Sequence, residues 1–180
     1  MSAKANKKID EQREKENRLA GLYDEYFDRV ARYIYVRIGD RNEAENLAGD
    51  VFLKALESLK SYRERGVPMQ AWLFRIAHNI SVDYLRKRGR MTTVPIDGVL
   101  IASRDDPVAT ADMNIKIKRV NEAMLELTPE QREVVQLRFF GELSSKEVGA
   151  ILNKSDGAVR EMQRAALEKL RSMLTGGADF

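Results

Sequence analysis

Residues 144–174, SSKEVGAILNKSDGAVREMQRAALEKLRSML, place a short helical pattern, a turn and a longer helical pattern in direct succession. Val148, Ile151 and Leu152 keep the three-and-four spacing of a helix face, and Asn153-Lys154 interrupts it. A second pattern opens at Ser155 behind a polar, charged first turn. Two helices joined by a turn of about three or four residues form the helix-turn-helix, which lays its second helix in the DNA major groove. An ordinary helical hairpin has the same apolar spacing. The cap, the turn and the polar N-terminal face together favour DNA reading, so the chain is expected to read nucleic acid rather than to be an enzyme.

The rest of the chain has the same period. From Leu19, apolar residues recur at 22, 23, 26, 27, 30, 33 and 34, and Gly39-Asp40 ends that helix. A second helix is expected from about 42 to 59, with Leu47, Val51, Ala55 and Leu59 on one line and Ala48, Phe52 and Leu56 beside it. The loop SYRERGVPMQ follows, broken by Gly66 and Pro68, and a third helix is expected over 68–87, burying Leu73, Ile76, Ala77, Ile80 and Tyr84. Residues 91–113 lose the period and read as a flexible linker that lets two domains sit apart. Helical pattern resumes at about 114 with Val120, Ala123, Met124 and Leu127, and Thr128-Pro129-Glu130-Gln131 reads as an N-cap, a first-turn proline and an acidic start. Val134, Val135, Leu137 and Phe139 line that helix, and Ser144 or Ser145 caps the next. No β-pattern occurs, so the expected class is all-α, with two small helical domains at 19–90 and 114–174 and a short tail at 175–180. Residues 1–18 are polar, mix both charge signs and lack the period, so they are expected to be a disordered or fraying extension.

Composition excludes several functions. There is no cysteine and one histidine, His78, so disulfides and a metal site are not expected, and His78 itself reads as a structural or exposed residue. No apolar run approaches the length of a membrane span, and the polar start has no apolar signal core, so the cytoplasm is the expected compartment. Net charge is only +3, but it is unevenly spread. Residues 59–90 carry eight Lys and Arg against two Asp and Glu, whereas 19–58 carry five against eight. One basic block between acidic neighbours suits a local phosphate-binding surface.

Within the block, Arg75, Asn79, Asp83 and Arg86 share one helical stripe with Trp72 at its edge. Tyr62, Arg63 and Arg65 lie in the loop before it, and Arg86-Lys87-Arg88 ends it. Arginines bind phosphate, while aromatic and amide groups hold unstacked bases, so this mixture suits a strand-separated segment. The alternative is that Trp72 is core and the arginines solubilise the helix or favour its C-terminus. The acidic helix with Glu43, Glu45, Asp50 and Glu57 does not suit DNA, and with no histidine or second catalytic group beside it, it reads as a solvated or protein-binding face. In the second helix of the helix-turn-helix, Asp156, Arg160, Glu161 and Arg164 project outward over an inner face of Val159, Met162, Ala166, Leu167 and Leu170. Arg can pair with guanine and Glu can accept from cytosine.

These residues resemble the sigma-70 family in its small extracytoplasmic-function (ECF) type. Ala44-Glu45-Asn46-Leu47-Ala48-Gly49-Asp50-Val51-Phe52-Leu53 is similar to the AEDLxQExFL stretch of region 2. Trp72-Leu73-Phe74-Arg75-Ile76-Ala77-His78-Asn79 with Asp83-Tyr84-Leu85-Arg86 is similar to its WLxRIAxNxxxDxLR helix. Leu127-Thr128-Pro129-Glu130-Gln131-Arg132 and the helix-turn-helix resemble region 4. Asn46 and Gly49 stand where Asp and Gln are common, Gly149 where alanine is usual, Asn153 where a turn glycine is usual, and Ala165 where arginine is frequent.

The resemblance implies a subunit that binds core RNA polymerase and directs initiation by recognising −35 and −10 promoter elements, with no catalytic residue, metal or cofactor of its own. It implies docking on the β′ clamp helices through Glu43, Glu45, Asn46, Leu47, Asp50 and Phe52. It implies −10 recognition and melting through Tyr62, Arg63, Arg65, Trp72, Arg75, Asn79, Asp83, Arg86, Lys87 and Arg88. It implies −35 recognition through Ser145, Lys154, Ser155, Asp156, Ala158, Arg160, Glu161 and Arg164, with region 4 also touching the β flap. Factors of this type are commonly held by an anti-sigma factor, which the resemblance adds as a further candidate partner. Two other readings compete with it: a stand-alone helix-turn-helix regulator on a palindromic site, and a protein-binding module that needs no DNA.

Overall fold

The computed structural model describes residues 3–64, 66–89 and 111–175, and every regular element among them is helical. α1 runs over Ala3–Ile38 and ends at Gly39, whose φ of 76° turns the chain. Asp40 then caps α2 (Arg41–Ser58) by accepting from the Glu43 backbone at 3.0 Å. α3 (Met69–Lys87) starts behind Pro68, whose carbonyl receives the Ala71 and Trp72 amides. These three helices enclose Val30, Tyr33, Ile34, Val51, Leu59, Met69, Leu73 and Phe74, all fully buried. Each such side chain contributes about 1.5–3 kcal/mol by leaving water.

The second unit contains α4 (Ala111–Leu125), α5 (Pro129–Val135), a π-helical turn (Gln136–Phe140), α6 (Ser145–Leu152) and α7 (Asp156–Thr175). Thr128 with Gln131, and Ser144 with Glu147, form capping boxes that start α5 and α6. Arg132 is buried and donates to the carbonyls of Met124, Leu125 and Leu127, satisfying the frayed end of α4. Ala123, Met124, Leu127, Val135, Ala166 and Leu170 form a small core of their own.

Three expectations change. The N-terminal segment is not a frayed extension in its described part: α1 is one continuous helix from Ala3. Its Lys, Glu, Gln and Arg residues are strong helix formers, Gln12 bonds Glu16 one turn on, and two side chains are anchored on the α2–α3 loop. Secondly, the two units do not sit apart. Val134, Leu137, Leu143, Val148, Ile151 and Val159 join the α1–α3 core in one continuous cluster. The linker expected over 91–113 falls, for residues 91–110, outside the described residues. Thirdly, Phe139 and Leu167 are 51% and 39% exposed rather than inward. The π-helical turn, with the Gly141 amide bonded to the Gln136 carbonyl at 3.2 Å, rotates the last residues of its helix away from the 3.6-residue register.

Candidate nucleic-acid interface

The turn of the helix-turn-helix depends on two residues that meet in space, Gly149 and Asn153. Asn153 adopts the left-handed conformation (φ 55°, ψ 47°), and the Lys154 amide returns to the Gly149 carbonyl at 2.9 Å. The chain passes so close to α6 that a Cβ on Gly149 would lie 2.5 Å from the Lys154 carbonyl oxygen. Glycine at 149 is what lets the asparagine turn close. Ser155 then starts α7 by accepting from the Ala158 amide at 3.1 Å.

α7 presents Ala158, Arg160, Glu161 and Arg164 to solvent, with Val159, Ala166 and Leu170 buried beneath. Arg160 pairs with Asp156 at 2.9 Å, and Arg164 is held between Glu161 at 2.7 Å and Glu168 at 3.0 Å. The Arg164 hydrogen bond and charge keep the Glu161 carboxyl below the usual range. Ser145 donates its hydroxyl to Asp156, and Lys154 pairs with Glu130 at 3.2 Å, so both brace the turn in this conformation. Ala165, where a family arginine is frequent, is half-buried.

The basic block divides into support and surface. Tyr62 is buried, its ring 4.7 Å from that of the half-buried Trp72 and its hydroxyl donating to the Val67 carbonyl at 3.2 Å. Arg63 folds back onto the carbonyls of Lys60 and Tyr62. Arg65 lies outside the described residues. On α3, Asn79, Asp83, Arg86, Lys87 and Arg88 are exposed; Arg86 pairs with Asp83 at 3.0 Å, and Arg88 stands 5.0 Å above the Tyr84 ring. Asn79 and Asp83 face an open groove shared with Lys54 and Ile76. Arg75 reaches across to the other unit and donates to the Ala150 carbonyl on α6.

α2 carries a different surface. Glu45, Asn46 and Asp50 are exposed and Glu43 is half-exposed, while Leu47 and Phe52 lie underneath in the core. Two residues absent from the expected contacts belong to this face: Leu53 and Leu56, 61% and 53% exposed. Tyr23 of α1, 47% exposed, packs its ring edge-on at 5.0 Å against Phe52 beside them. Leu53 falls off the buried 47–51–55–59 line, whereas Leu56, expected beside Ala48 and Phe52 on the apolar face, is turned to solvent at the edge of that face. His78 is structural, its Nδ1 2.6 Å from Glu133 of α5. Among the described residues no cluster of His, Cys, Asp and Glu could hold a metal, and no helix is long and apolar enough to cross a membrane.

Comparison with known proteins gives independent findings. A family model for Sigma-70 region 2 matches residues 22–91, and one for Sigma-70, region 4 matches residues 123–172. The chain is 33% identical to the ECF RNA polymerase sigma factor BldN of Streptomyces coelicolor over 87% of its own length and 60% of that protein's. It is 30% identical to the RNA polymerase sigma factor YlaC of Bacillus subtilis over 84% of its own length and 90% of that protein's. In fold it is similar to CnrH solved with the cytosolic domain of CnrY (TM-score 0.64, 22% identity, 89% of this chain and 90% of that one). It is equally similar to the sigma factor RpoE solved with the anti-sigma factor NepR from Bartonella quintana (TM-score 0.64, 24% identity, 89% and 98%).

Proposed function

The chain belongs to the sigma-70 family, in its extracytoplasmic-function type, and from that premise we propose that it binds core RNA polymerase and directs initiation at promoters bearing cognate −35 and −10 elements. It is not an enzyme; nucleotide chemistry belongs to the polymerase. The observation that carries the reading is the split of one three-helix bundle into two chemically distinct surfaces. α2 offers acidic residues around exposed Leu53 and Leu56, which suits a protein partner and repels phosphate. α3 offers Asn79 and a cluster of Arg86, Lys87 and Arg88, which suits a nucleic-acid backbone and its unstacked bases.

The division of labour follows. Core polymerase, through its β′ clamp helices, is assigned Glu43, Glu45, Asn46, Asp50, Leu53 and Leu56, with Leu47 and Phe52 supporting them from the core. Promoter melting is assigned to α3 and the loop before it: Arg86, Lys87 and Arg88 hold phosphates, while Trp72, Asn79 and Asp83 border the place for a displaced base. The −35 duplex is assigned to α7 through Arg160, Glu161 and Arg164, with the second unit also reaching the β flap. Arg75 is exposed and rests on the Ala150 carbonyl, so it reaches DNA by releasing that one bond. An anti-sigma factor is proposed as a further partner, by analogy with the one on RpoE. The cytoplasm, and the nucleoid when polymerase-bound, is the proposed location.

Run-off transcription with purified core enzyme on a promoter library tests the reading. Transcripts from a defined subset of promoters, dependent on added chain, are expected. Failure to co-elute with core enzyme on gel filtration would overturn it, and tight binding to a palindromic duplex without polymerase would favour a stand-alone regulator.

A further inference from the structure

The region 2 match begins at residue 22, whereas the helix that carries it begins at Ala3. The preceding turns are anchored to the bundle. Gln12, Lys15 and Leu19 are the less exposed positions among residues 11–20, and they continue in line with Leu22, Tyr26 and Val30 of the bundle. At a rise of about 1.5 Å per residue, the turns from Ala3 to Arg18 extend the helix by about 24 Å along this stripe. The stripe meets the α2–α3 loop. Lys15 Nζ donates to the Tyr62 carbonyl at 3.0 Å, and Arg18 Nη1 donates to Glu64 Oε2 at 2.9 Å. The Tyr62 carbonyl also receives Arg63 at 3.0 Å, so two cationic donors converge on one backbone oxygen. A loop that must read bases needs its backbone held before the strand arrives, and helix-borne side chains do this better than the loop alone.

We propose that the first turns of α1 brace the α2–α3 loop, with Lys15 and Arg18 as positioning residues that set −10 base preference without touching DNA. This rests on the proposed −10 role of that loop and extends it to residues outside the region 2 match. The test uses the full chain, core enzyme and a promoter library randomised at the −10 element. Arg18→Glu places like charges opposite Glu64 while keeping a good helix former. Transcription from the preferred −10 sequences is expected to fall about three- to fivefold, and the base preference to flatten, with core co-elution and melting temperature unchanged. The reciprocal pair Arg18→Glu with Glu64→Arg is expected to restore both yield and preference. An Arg18→Glu chain with the wild-type preference overturns the proposal. So does a reciprocal pair that stays defective, since that outcome makes Arg18 a direct phosphate contact. If the wild-type chain directs no transcription, the functional reading fails first and takes the brace with it; a working wild type with an indifferent variant removes the brace alone.

Discussion

Arg37 and Glu133 are 96 residues apart in the chain and 2.8 Å apart in space, joining α1 to α5 across the seam between the two helical units. The same carboxylate oxygen receives His78 Nδ1 of α3 at 2.6 Å, and Arg37 also bonds Gln136 at 3.3 Å. Arg37 is 9% exposed, so its charge depends on Glu133 rather than on water. Glu133→Ala is expected to destabilise the docked form by about 3 kcal/mol, because a buried guanidinium is left without its carboxylate. Urea titration measures the loss. The double change Arg37→Met with Glu133→Leu is expected to cost less than Glu133→Ala alone, since it removes both charges together.

Acid should loosen the same seam. Burial pushes the Glu133 carboxyl up, but the His78 hydrogen bond and the Arg37 charge outweigh it and hold the group below its ordinary value. A depressed carboxylate contributes stability that is present above its unfolded-state pKa and is lost as pH falls through the folded one. The contribution is therefore expected to be constant through the neutral range and to fade below about pH 4.5. Urea midpoints measured against pH should show a shallower acid decline in Glu133→Gln than in the wild type.

The turn of the helix-turn-helix predicts an unusual penalty for a favourable helix residue. Gly149→Ala gains helix propensity of about 1 kcal/mol, yet its Cβ meets the Lys154 carbonyl oxygen, which is backbone and cannot swing aside. A net loss of about 1–2 kcal/mol is expected by thermal or urea unfolding. Asn153→Gly should be tolerated, because glycine reaches the left-handed region without the cost of a Cβ. A stabilised Gly149→Ala chain would contradict the geometry.

Helix positions from residue 19 onward, the cap at Thr128, a serine cap at 144 or 145, and the sigma-type order of motifs are readable in the sequence, whereas Asp40 reads there only as the end of the first helix and not as the cap of the second. What spacing could not show is how separate stripes meet. The face of α5 and the π-helical turn looked like one helix line, so Phe139 was assigned inward, and nothing local announces an extra residue in a turn. The anchoring of residues 3–18 depends on contacts 46 and 47 positions away at Glu64 and Tyr62, which no window of the sequence contains. For the same reason spacing places Arg75 on the exposed stripe of α3, where it lies, but does not show that its guanidinium bonds the Ala150 carbonyl 75 positions on. Within the acidic helix, charge singles out Glu43 and Glu45; spacing assigns Leu53 no role, and it groups Leu56 with buried Ala48 and Phe52 although Leu56 lies just outside the edge that the neighbouring helices cover.

On α7, Arg160 and Arg164 are set apart by their neighbours. Arg160 pairs with Asp156, whereas Arg164 is held from both sides by Glu161 and Glu168. As a base-edge contact of the proposed −35 face, Arg160→Ala is expected to weaken discrimination by about 1–3 kcal/mol at one base pair. Glu168→Gln frees part of the Arg164 charge and should strengthen duplex binding uniformly across sequences, with a steeper salt dependence. Competition binding of holoenzyme to promoters varied at the −35 element, at two salt concentrations, separates the two effects.

The leucines of α2 supply the clearest separation of binding from folding. Leu53 and Leu56 are more than half exposed, so shortening either removes little from the core and should leave the melting temperature nearly unchanged. On the proposed polymerase face they are apolar anchors ringed by Glu45, Asp50 and Glu57, the arrangement in which a few residues carry most of an interface's energy. Leu53→Ala and Leu56→Ala are each expected to weaken core binding by about 1–2 kcal/mol, roughly a tenfold rise in Kd. Glu57→Gln, at the rim, should change association rate and salt dependence more than affinity. Fluorescence titration of labelled chain with core enzyme reads all three. Leucine variants that bind as tightly as the wild type would move the polymerase contact off this face.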